Sequence, residues 1–352
     1  MIMSLAMISE EEYGQVLSDF LKQVGFRMPS IGYDSSLEQP VVDYFTSQPW
    51  DDHLKQKAAT MAKWMSTGLG MCYPYASRQS QIAYGIHATF VLFIDDIVAE
   101  LGQSLDHFQQ NLVRGRCQEH SVLQSLVDFL VLEDGYMGSY GRSMMLKSTI
   151  EFVSGCIIER DYDGKMRPPS KATTFPDYLR QKTGYTEPYA HFVYPEEMFP
   201  EATHLPLYLP IIQDLCEFIS YGNDILSFFK ESVIGNERLN YICNVAFVND
   251  LSPANALRLV CHNVAENIKR IRTVLSGHPS MLKVTEEFLC GYIAWYINQD
   301  RYHLTHITIR DADDKISQRT TRPVSDSVDM TSTLGTLQRS GTKRQYTLAA
   351  CI

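Results

Sequence analysis

A row of oxygen-bearing side chains occurs in the segment 223–231 (NDILSFFKE) of this 352-residue chain. Asn223, Ser227 and Glu231 are four residues apart, so a helix would present an amide, a hydroxyl and a carboxylate on one face. These are hard oxygen donors, which Mg²⁺ accepts while it keeps waters and substrate phosphates in its shell. Most of the intervening residues are apolar, so the helix would be largely buried. A network of hydrogen bonds between helices is the alternative interpretation of the same row.

Two adjacent carboxylates, Asp95 and Asp96, lie near the end of a strongly apolar segment that also has a helical pattern. Burying both of them without compensation would be costly, so they must face solvent, a cation or a wet cleft. Asp96 and Glu100 are four residues apart and would share a helical face, whereas Asp95 would point about 100° away. Alone, such a pair is a weak signal, because a solvated surface pair is the simpler interpretation.

Composition limits which partners these side chains could serve. Apolar residues make up 45% of the chain and charged residues 20%, which predicts an ordinary buried core. The formal net charge of −10 argues against nucleic acid as a partner, and an anionic ligand would need a bound metal to mediate. The eight cysteines form no C-x-x-C pair, which favours buried thiols in a reducing compartment over a disulfide framework or a zinc site.

The elements that would position these residues are helices. Apolar residues recur with a 3.6-residue period and no series of alternating strands is found, which predicts an all-α fold. Two Pro-rich loops are expected at 162–176 and 186–210. The expected helices cover 11–24, 52–65, 80–101, 105–116, 121–132, 139–161, 175–182, 211–232, 238–248, 253–275 and 281–301.

No boundary divides the body of the chain, so we expect one helical domain over 1–310. The remainder, 311–352, is rich in Ser, Thr, Arg and Asp, which is typical of a flexible polar tail. Neither a signal peptide nor an apolar run long enough to span a bilayer is found, so the sequence predicts a cytoplasmic protein without a membrane span.

The pattern N-D-x-x-S-x-x-K-E, with an aspartate pair upstream, resembles that of class I terpene cyclases. Two further segments, 175–180 (FPDYLR) and 300–302 (DRY), are similar to segments of the fungal trichodiene-synthase-like sesquiterpene cyclases, and order and spacing agree from about residue 80 to 305. The resemblance implies an α-helical bundle around a central apolar cavity. It also implies a prenyl diphosphate substrate, with farnesyl diphosphate suggested, three Mg²⁺ ions and, as a family expectation only, a homodimer.

The resemblance also implies roles for individual residues. Asp95 would be the principal metal ligand on the first side, followed by Asp96 and Glu100. The family commonly has a further acid where this chain has Ala99, so either Glu100 substitutes for that acid or the first metal cluster rests on Asp95 alone. The other implied residues are Asn223, Ser227 and Glu231 for the metal on the second side, and Arg180, Lys230, Arg301 and Tyr302 for the diphosphate.

These residue types suit a reaction in which a diphosphate departs. Mg²⁺ and fixed Arg or Lys donors neutralise the leaving group without proton transfer, and a dry aromatic pocket protects the allylic cation that remains. Together with these residue types, the resemblance implies a lyase that ionises farnesyl diphosphate, cyclises the carbocation and releases diphosphate. A prenyl chain-elongating synthase, which would normally show two aspartate-rich motifs, is one alternative. A non-catalytic diphosphate-binding helical protein is the other, and only the missing acid at Ala99 favours it.

Overall fold

The computed structural model describes residues 8–30, 34–132, 136–162, 165–238 and 240–306. Within these ranges every regular element is a helix and no strand occurs, which confirms the all-α prediction. The α-helices are α1 (Glu10–Val24), α2 (Glu38–Thr46), α3 (Asp52–Cys72), α4 (Arg78–Asp96), α5 (Val98–Leu101), α6 (Ser104–Val113), α7 (Ser121–Leu132), α8 (Ser139–Tyr162), α9 (Phe175–Thr183), α10 (Glu187–Phe192), α11 (Glu201–Tyr208), α12 (Ile212–Phe228), α13 (Tyr241–Val248), α14 (Pro253–Val274) and α15 (Pro279–Asn298).

Short helical turns complete the architecture. A π-helix (Phe229–Ile234) continues α12, and 3₁₀ turns occur at Ser35–Leu37, Leu209–Ile211, Leu275–Gly277, Asp300–Tyr302 and Leu304–His306. Residues 307–352, which include the expected tail 311–352, lie outside the described residues.

Some predictions of helices and loops were wrong. The expected helix 80–101 ends at Asp96, because Ile97 leaves the helical conformation (φ −108°, ψ 17°) before the short α5 begins. The expected loop 186–210 contains α10 and α11. Pro188 lies in the first turn of α10, where a missing N–H costs nothing, and Pro206 lies inside α11. Proline content alone therefore did not indicate a loop here.

A continuous cluster of buried apolar side chains, from Ile8 to Leu304, forms the core. Helix α12 lies in its middle and packs against α10, α14 and α15, while α3 packs against α2, α4 and α15. Aromatic rings fill much of the interior; the rings of Tyr84 and Phe192, for example, stack with centroids 3.9 Å apart. No helix in the described part of the chain is long and apolar enough to cross a membrane.

The backbones of α8 and α9 touch at Gly155. A Cβ atom on Gly155 would lie 2.3 Å from the Lys182 carbonyl oxygen and 3.1 Å from the Thr183 Cα. Both obstacles are backbone atoms, which a rotamer change cannot move. Gly155 therefore sets how closely α9, the helix that carries Arg180, approaches α8.

Gly155→Ala is expected to lower the free energy of unfolding by roughly 1–3 kcal/mol, because the two helices must separate to admit the methyl group. Gly277→Ala is the matched control, since its Cβ position has open space within 4 Å. That control should leave stability unchanged or raise it by up to about 1 kcal/mol. Denaturant unfolding monitored by circular dichroism measures both, and equal values for the two variants would contradict the close contact.

Candidate active site

Helix α12 carries two of the three predicted metal-side oxygens, and the π-helix carries the third. Asn223 and Ser227 lie on α12, whereas Glu231 lies in the π-helix, so the expected uninterrupted α-helix over 211–232 is corrected. The wider i→i+5 turns of a π-helix are frequent at functional sites. Tyr13 of α1 supports this junction, because its hydroxyl donates to the Ile225 carbonyl at 2.9 Å.

Two of these oxygens are buried without a hydrogen-bond partner. Ser227 is 1% exposed, and neither its Oγ nor Glu231 Oε1 has a partner among the described residues. A buried unsatisfied polar group costs about 1–3 kcal/mol, so both atoms would be stabilised by a ligand. Lys230 Nζ lies 3.8 Å from Glu231 Oε1, too far for a hydrogen bond. A hydroxyl and a carboxylate left open in this way fit a hard cation such as Mg²⁺.

Asn223 differs from the other two members of the row, because both polar atoms of its amide are hydrogen-bonded. The amide Nδ2 donates to the Tyr296 hydroxyl at 2.6 Å, and Oδ1 accepts a hydrogen bond from Arg180 Nη2 at 3.0 Å. The alternative reading of the row as an interhelical network therefore describes Asn223 well and Ser227 poorly. Oδ1 still has a second lone pair that could reach a cation.

Arg180 is buried, and its side chain donates hydrogen bonds to oxygen atoms of α12. Its Nε donates to Asp224 Oδ2 at 2.8 Å, and its Nη2 also donates to the Ser220 carbonyl at 3.2 Å. Burial raises the pKa of Asp224 to about 6, even though the charge of Arg180 opposes that shift. Sequence reasoning missed Asp224, although it follows Asn223 directly in the motif; the signal was an acid between apolar residues on a helix expected to be buried.

Asp95 is buried at the carboxyl end of α4. Burial raises the pKa of Asp95 to about 7, the charge of Asp96 adds to the shift, and the charges of Arg301 and Arg180 oppose it. Both arginines therefore lie near enough to act on Asp95. Arg180 thus donates to Asn223 on one predicted metal-binding side, and its charge acts on Asp95 on the other.

Glu159 of α8 is a second acid at this position that sequence reasoning missed. Its side chain hydrogen-bonds that of Asp95. Two adjoining carboxyl groups are stable only if they share a proton or bind a cation. No motif or spacing links residues 95 and 159, so only the tertiary structure reveals the pair.

Asp96 and Glu100 face a different partner from Asp95. Lys57 of α3 lies with its Nζ 2.7 Å from Asp96 Oδ2 and 3.5 Å from Glu100 Oε1. Lys57 compensates the two carboxylates that sequence reasoning assigned to metal, and it comes from a helix without any recognised motif. The role of Asp96 and Glu100 as metal ligands stays a prediction, and it requires that they leave Lys57.

Two further cations gather around Tyr302, in the 3₁₀ turn that follows α15. Lys230 Nζ lies 5.6 Å from the centre of the Tyr302 ring, and Arg301 Cζ lies 6.0 Å from the same ring and 5.4 Å from that of Trp64. Burial lowers the pKa of Lys230 to about 8, and the nearby charge of Arg301 contributes. Like charges held together in a buried place favour an anion between them. Burial also raises the pKa of Tyr302 to about 12, which keeps its hydroxyl a donor.

The structure thus brings together most of the predicted residues. Arg180, Asn223 and Asp95 are linked through contacts and charge, and Lys230, Arg301 and Tyr302 form a second group beside Glu231. No group of three or more His, Cys, Asp or Glu side chains suited to a metal is found in the described ranges. A metal here would therefore depend on the amide and hydroxyl oxygens as well as on the acids.

In the chain without metal, Asp95 is expected to make folding less favourable as the pH rises. Its pKa is raised from 3.8, so the folded state keeps a proton that the unfolded chain releases. The resulting stability is complete below about pH 4 and is lost as the pH rises through 7. Asp95→Asn removes this titration. The free energy of unfolding of the variant minus that of the parent should therefore increase by roughly 2–4 kcal/mol as the pH rises over that range.

Denaturant unfolding with chelator at several pH values measures this difference. Asp19→Asn is the control, because that carboxylate is exposed on α1. This control reports the effect of an Asp-to-Asn substitution on a side chain that is exposed to water. A difference for Asp95→Asn that stays constant or shrinks as the pH rises would contradict the buried, proton-holding carboxyl.

Comparison with known proteins places this geometry in a family. The model of the trichodiene synthase (TRI5) family matches residues 39–336, which extends past residue 310. An (E)-beta farnesene synthase of Metarhizium brunneum is 33% identical over 87% of this chain and 92% of its own length. Monoterpene synthase 25 of Postia placenta is 27% identical over 83% and 86%, and trichodiene synthase of Trichoderma arundinaceum 26% over 79% and 72%, respectively.

Solved structures agree in fold. A linalool/nerolidol synthase of Streptomyces clavuligerus superposes with a TM-score of 0.59 at 13% identity, covering 77% of this chain and 99% of the other. A germacradien-4-ol synthase of Streptomyces citricolor gives 0.56 at 18% identity, covering 78% and 98%. Both have the all-α class I terpenoid synthase fold, which confirms the predicted fold class. The chain belongs to the trichodiene synthase family, and as a terpene synthase it is a lyase that acts on a prenyl diphosphate.

Proposed function

We propose that this terpene synthase is a Mg²⁺-dependent sesquiterpene cyclase that ionises farnesyl diphosphate, cyclises the carbocation and releases diphosphate. The observation that carries the proposal is the position of Arg180, which bonds Asn223 on one predicted metal side while its charge acts on Asp95 on the other. The Arg180 guanidinium, with oxygen donors on both sides, would suit a diphosphate that is bound together with metal ions.

The residues divide into two tasks. Asn223 Oδ1, Ser227 Oγ and Glu231 would hold one metal ion, and Asp95 would hold the ions of the other side, three in all. Bound Mg²⁺ supplies neutralising charge that makes diphosphate a better leaving group. Ser227 and Glu231 support this assignment most directly, because each has a buried oxygen atom left without a partner.

The cationic side chains would receive the diphosphate oxygens. Arg180 would exchange Asp224 for phosphate, while Lys230, Arg301 and Tyr302 would donate from the other side. The planar guanidinium groups suit two phosphate oxygens at once. Release of the leaving group into this cluster would leave an allylic cation, and the expected aromatic pocket would protect that cation from water. The central apolar cavity that would hold the hydrocarbon remains a prediction.

The relatives guide the proposed substrate length and product shape. The relatives include proteins named as a monoterpene synthase and as a farnesene synthase, and the latter name denotes an acyclic C15 product. We favour farnesyl diphosphate because farnesene and trichodiene synthases both match over most of the chain. Belonging to this family argues against chain elongation. A cytoplasmic location fits the seven free cysteines of the described residues, and a homodimer remains a family expectation.

With Mg²⁺ and farnesyl diphosphate, we expect one main cyclic C15 product by gas chromatography–mass spectrometry, and none with chelator. Asn223→Ala and Asp95→Ala should each reduce turnover roughly 100-fold or more, since each removes a group that stabilises the departing charge. Asn249→Ala, at the carboxyl end of α13, is the control and should keep near-normal turnover.

Other outcomes of this assay distinguish the alternatives. Longer prenyl products formed with added isopentenyl diphosphate would indicate a chain-elongating synthase. Diphosphate binding without any hydrocarbon product would indicate a non-catalytic protein. Near-normal turnover in both Asn223→Ala and Asp95→Ala would contradict the proposed metal sites, and a linear C15 product would remove only the cyclisation step.

Stability provides a readout that does not depend on turnover. Mg²⁺ with inorganic diphosphate at about 100 times its dissociation constant should raise the free energy of unfolding by roughly 2.7 kcal/mol, because only the folded state binds it. Ser227→Ala should lose most of this gain while its unliganded stability stays level or rises, since Ser227 Oγ has no partner to lose.

Ser66→Ala is the matched control for this experiment. Ser66 is buried on α3 like Ser227 on α12, but its hydroxyl donates to the Ala62 carbonyl at 2.7 Å. Thermal unfolding should show the full ligand-induced gain for this variant. A full gain for Ser227→Ala as well would argue that Ser227 does not hold the metal.

A further inference from the structure

Two tyrosine hydroxyls converge on one carboxylate at the start of α9. Tyr221 of α12 donates to Asp177 Oδ1 at 3.1 Å, and Tyr241 of α13 donates to the same oxygen at 2.6 Å. The rings of Tyr221 and Tyr241 stack on each other, with centroids 4.6 Å apart and an interplanar angle of 8°. Both tyrosine rings are buried, whereas the Asp177 side chain is half-buried. We call these three residues the Asp177 latch; it joins α9, α12 and α13.

The latch lies one turn from Arg180 on the same short helix. Residues three apart on a helix lie on neighbouring positions of one surface, so Asp177 and Arg180 both meet α12. On α12 the partners also alternate: Tyr221 holds Asp177, while Ser220 and Asn223 accept from Arg180. Helix α9 is therefore attached to α12 at two points, about one helical turn apart.

The two attachments differ in what a bound diphosphate would do to them. Arg180 would have to leave Asp224 and donate to phosphate, which removes the inner attachment. The outer one borders a separate cleft, lined by Asp177, Tyr221, Tyr241 and Arg270, among others. A tyrosine hydroxyl ordinarily ionises only near pH 10, so Tyr221 and Tyr241 both remain donors to Asp177 at physiological pH. The outer attachment can thus persist while the inner one changes.

We propose that the Asp177 latch is a positioning device that keeps α9 against α12 while Arg180 exchanges Asp224 for the diphosphate. This inference rests on the proposed function, because it assumes that Arg180 binds diphosphate. Without the latch, α9 is held mainly by its contact with α8. The Arg180 guanidinium is then no longer held in the orientation that two-point donation requires. Two-point donation from a guanidinium depends on that geometry, so diphosphate affinity should fall.

Isothermal titration of inorganic diphosphate with Mg²⁺ measures the effect. The parent chain is compared with Tyr241→Phe, the double variant Tyr221→Phe/Tyr241→Phe, and Asp177→Asn. We expect the dissociation constant to rise roughly tenfold for the double variant and for Asp177→Asn, with a smaller rise for Tyr241→Phe, because the charged acceptor loses one or both donors. Far-ultraviolet circular dichroism establishes that each variant is folded; Tyr241→Phe keeps the ring and guards against loss of folding.

Tyr194→Phe is the matched control, because it also removes a buried hydroxyl that bonds another helix, at Thr285 Oγ1 2.8 Å away. This control should stay within twofold of the parent. A comparable loss of affinity in Tyr194→Phe would reduce the latch to a general effect on stability and overturn the proposal.

Combining Asp177→Asn with Arg180→Lys tests whether the latch acts through Arg180. In the Arg180→Lys background, Asp177→Asn should change the dissociation constant less than twofold, since coupled residues are not additive. A full tenfold loss in that background would overturn the proposal, as would unchanged affinity in all latch variants of a chain that binds diphosphate. Failure of the parent chain to bind Mg²⁺ with diphosphate would instead refute the proposed function, and the latch proposal with it.

Discussion

The burial of one guanidinium determines much of the arrangement in this protein. Arg180 is 8% exposed, and its donors reach a carboxylate, an amide oxygen and a backbone carbonyl of α12. A buried charge of this kind is tolerable only with such partners, and removing one of them is strongly destabilising. The position of α9, the orientation of the Asn223 amide and the charge of Asp224 therefore depend on one another. A ligand with enough negative charge can replace Asp224 without leaving the arginine unpaired.

Sequence reasoning found the parts of the site that lie within one helix. The four-residue spacing of Asn223, Ser227 and Glu231 predicted one common face, and the structure places the first two on α12 and Glu231 in the π-helix that continues it. Helix periodicity also predicted α7 at its observed bounds and α9 to within one residue. These features depend on neighbours only a few positions away, which is the information that spacing contains.

Partners that come from distant parts of the chain were not predictable in this way. Glu159 beside Asp95, and Lys57 beside Asp96, belong to helices that carry no motif, and their roles follow from tertiary packing. The helices in 186–210 were missed for a different reason. Pro188 suits the first turn of a helix as well as it suits a loop, so composition could not separate the two.

Tyr13 connects helix α1 to the segment that carries Lys230 and Glu231. Its hydroxyl reaches the Ile225 carbonyl, and its ring stacks on Phe229 at 5.3 Å, immediately before Lys230. Helix α1 thus supports the backbone at the junction between α12 and the π-helix. Shortened versions of this enzyme that begin after residue 24 would leave a hollow behind the very backbone that presents Glu231.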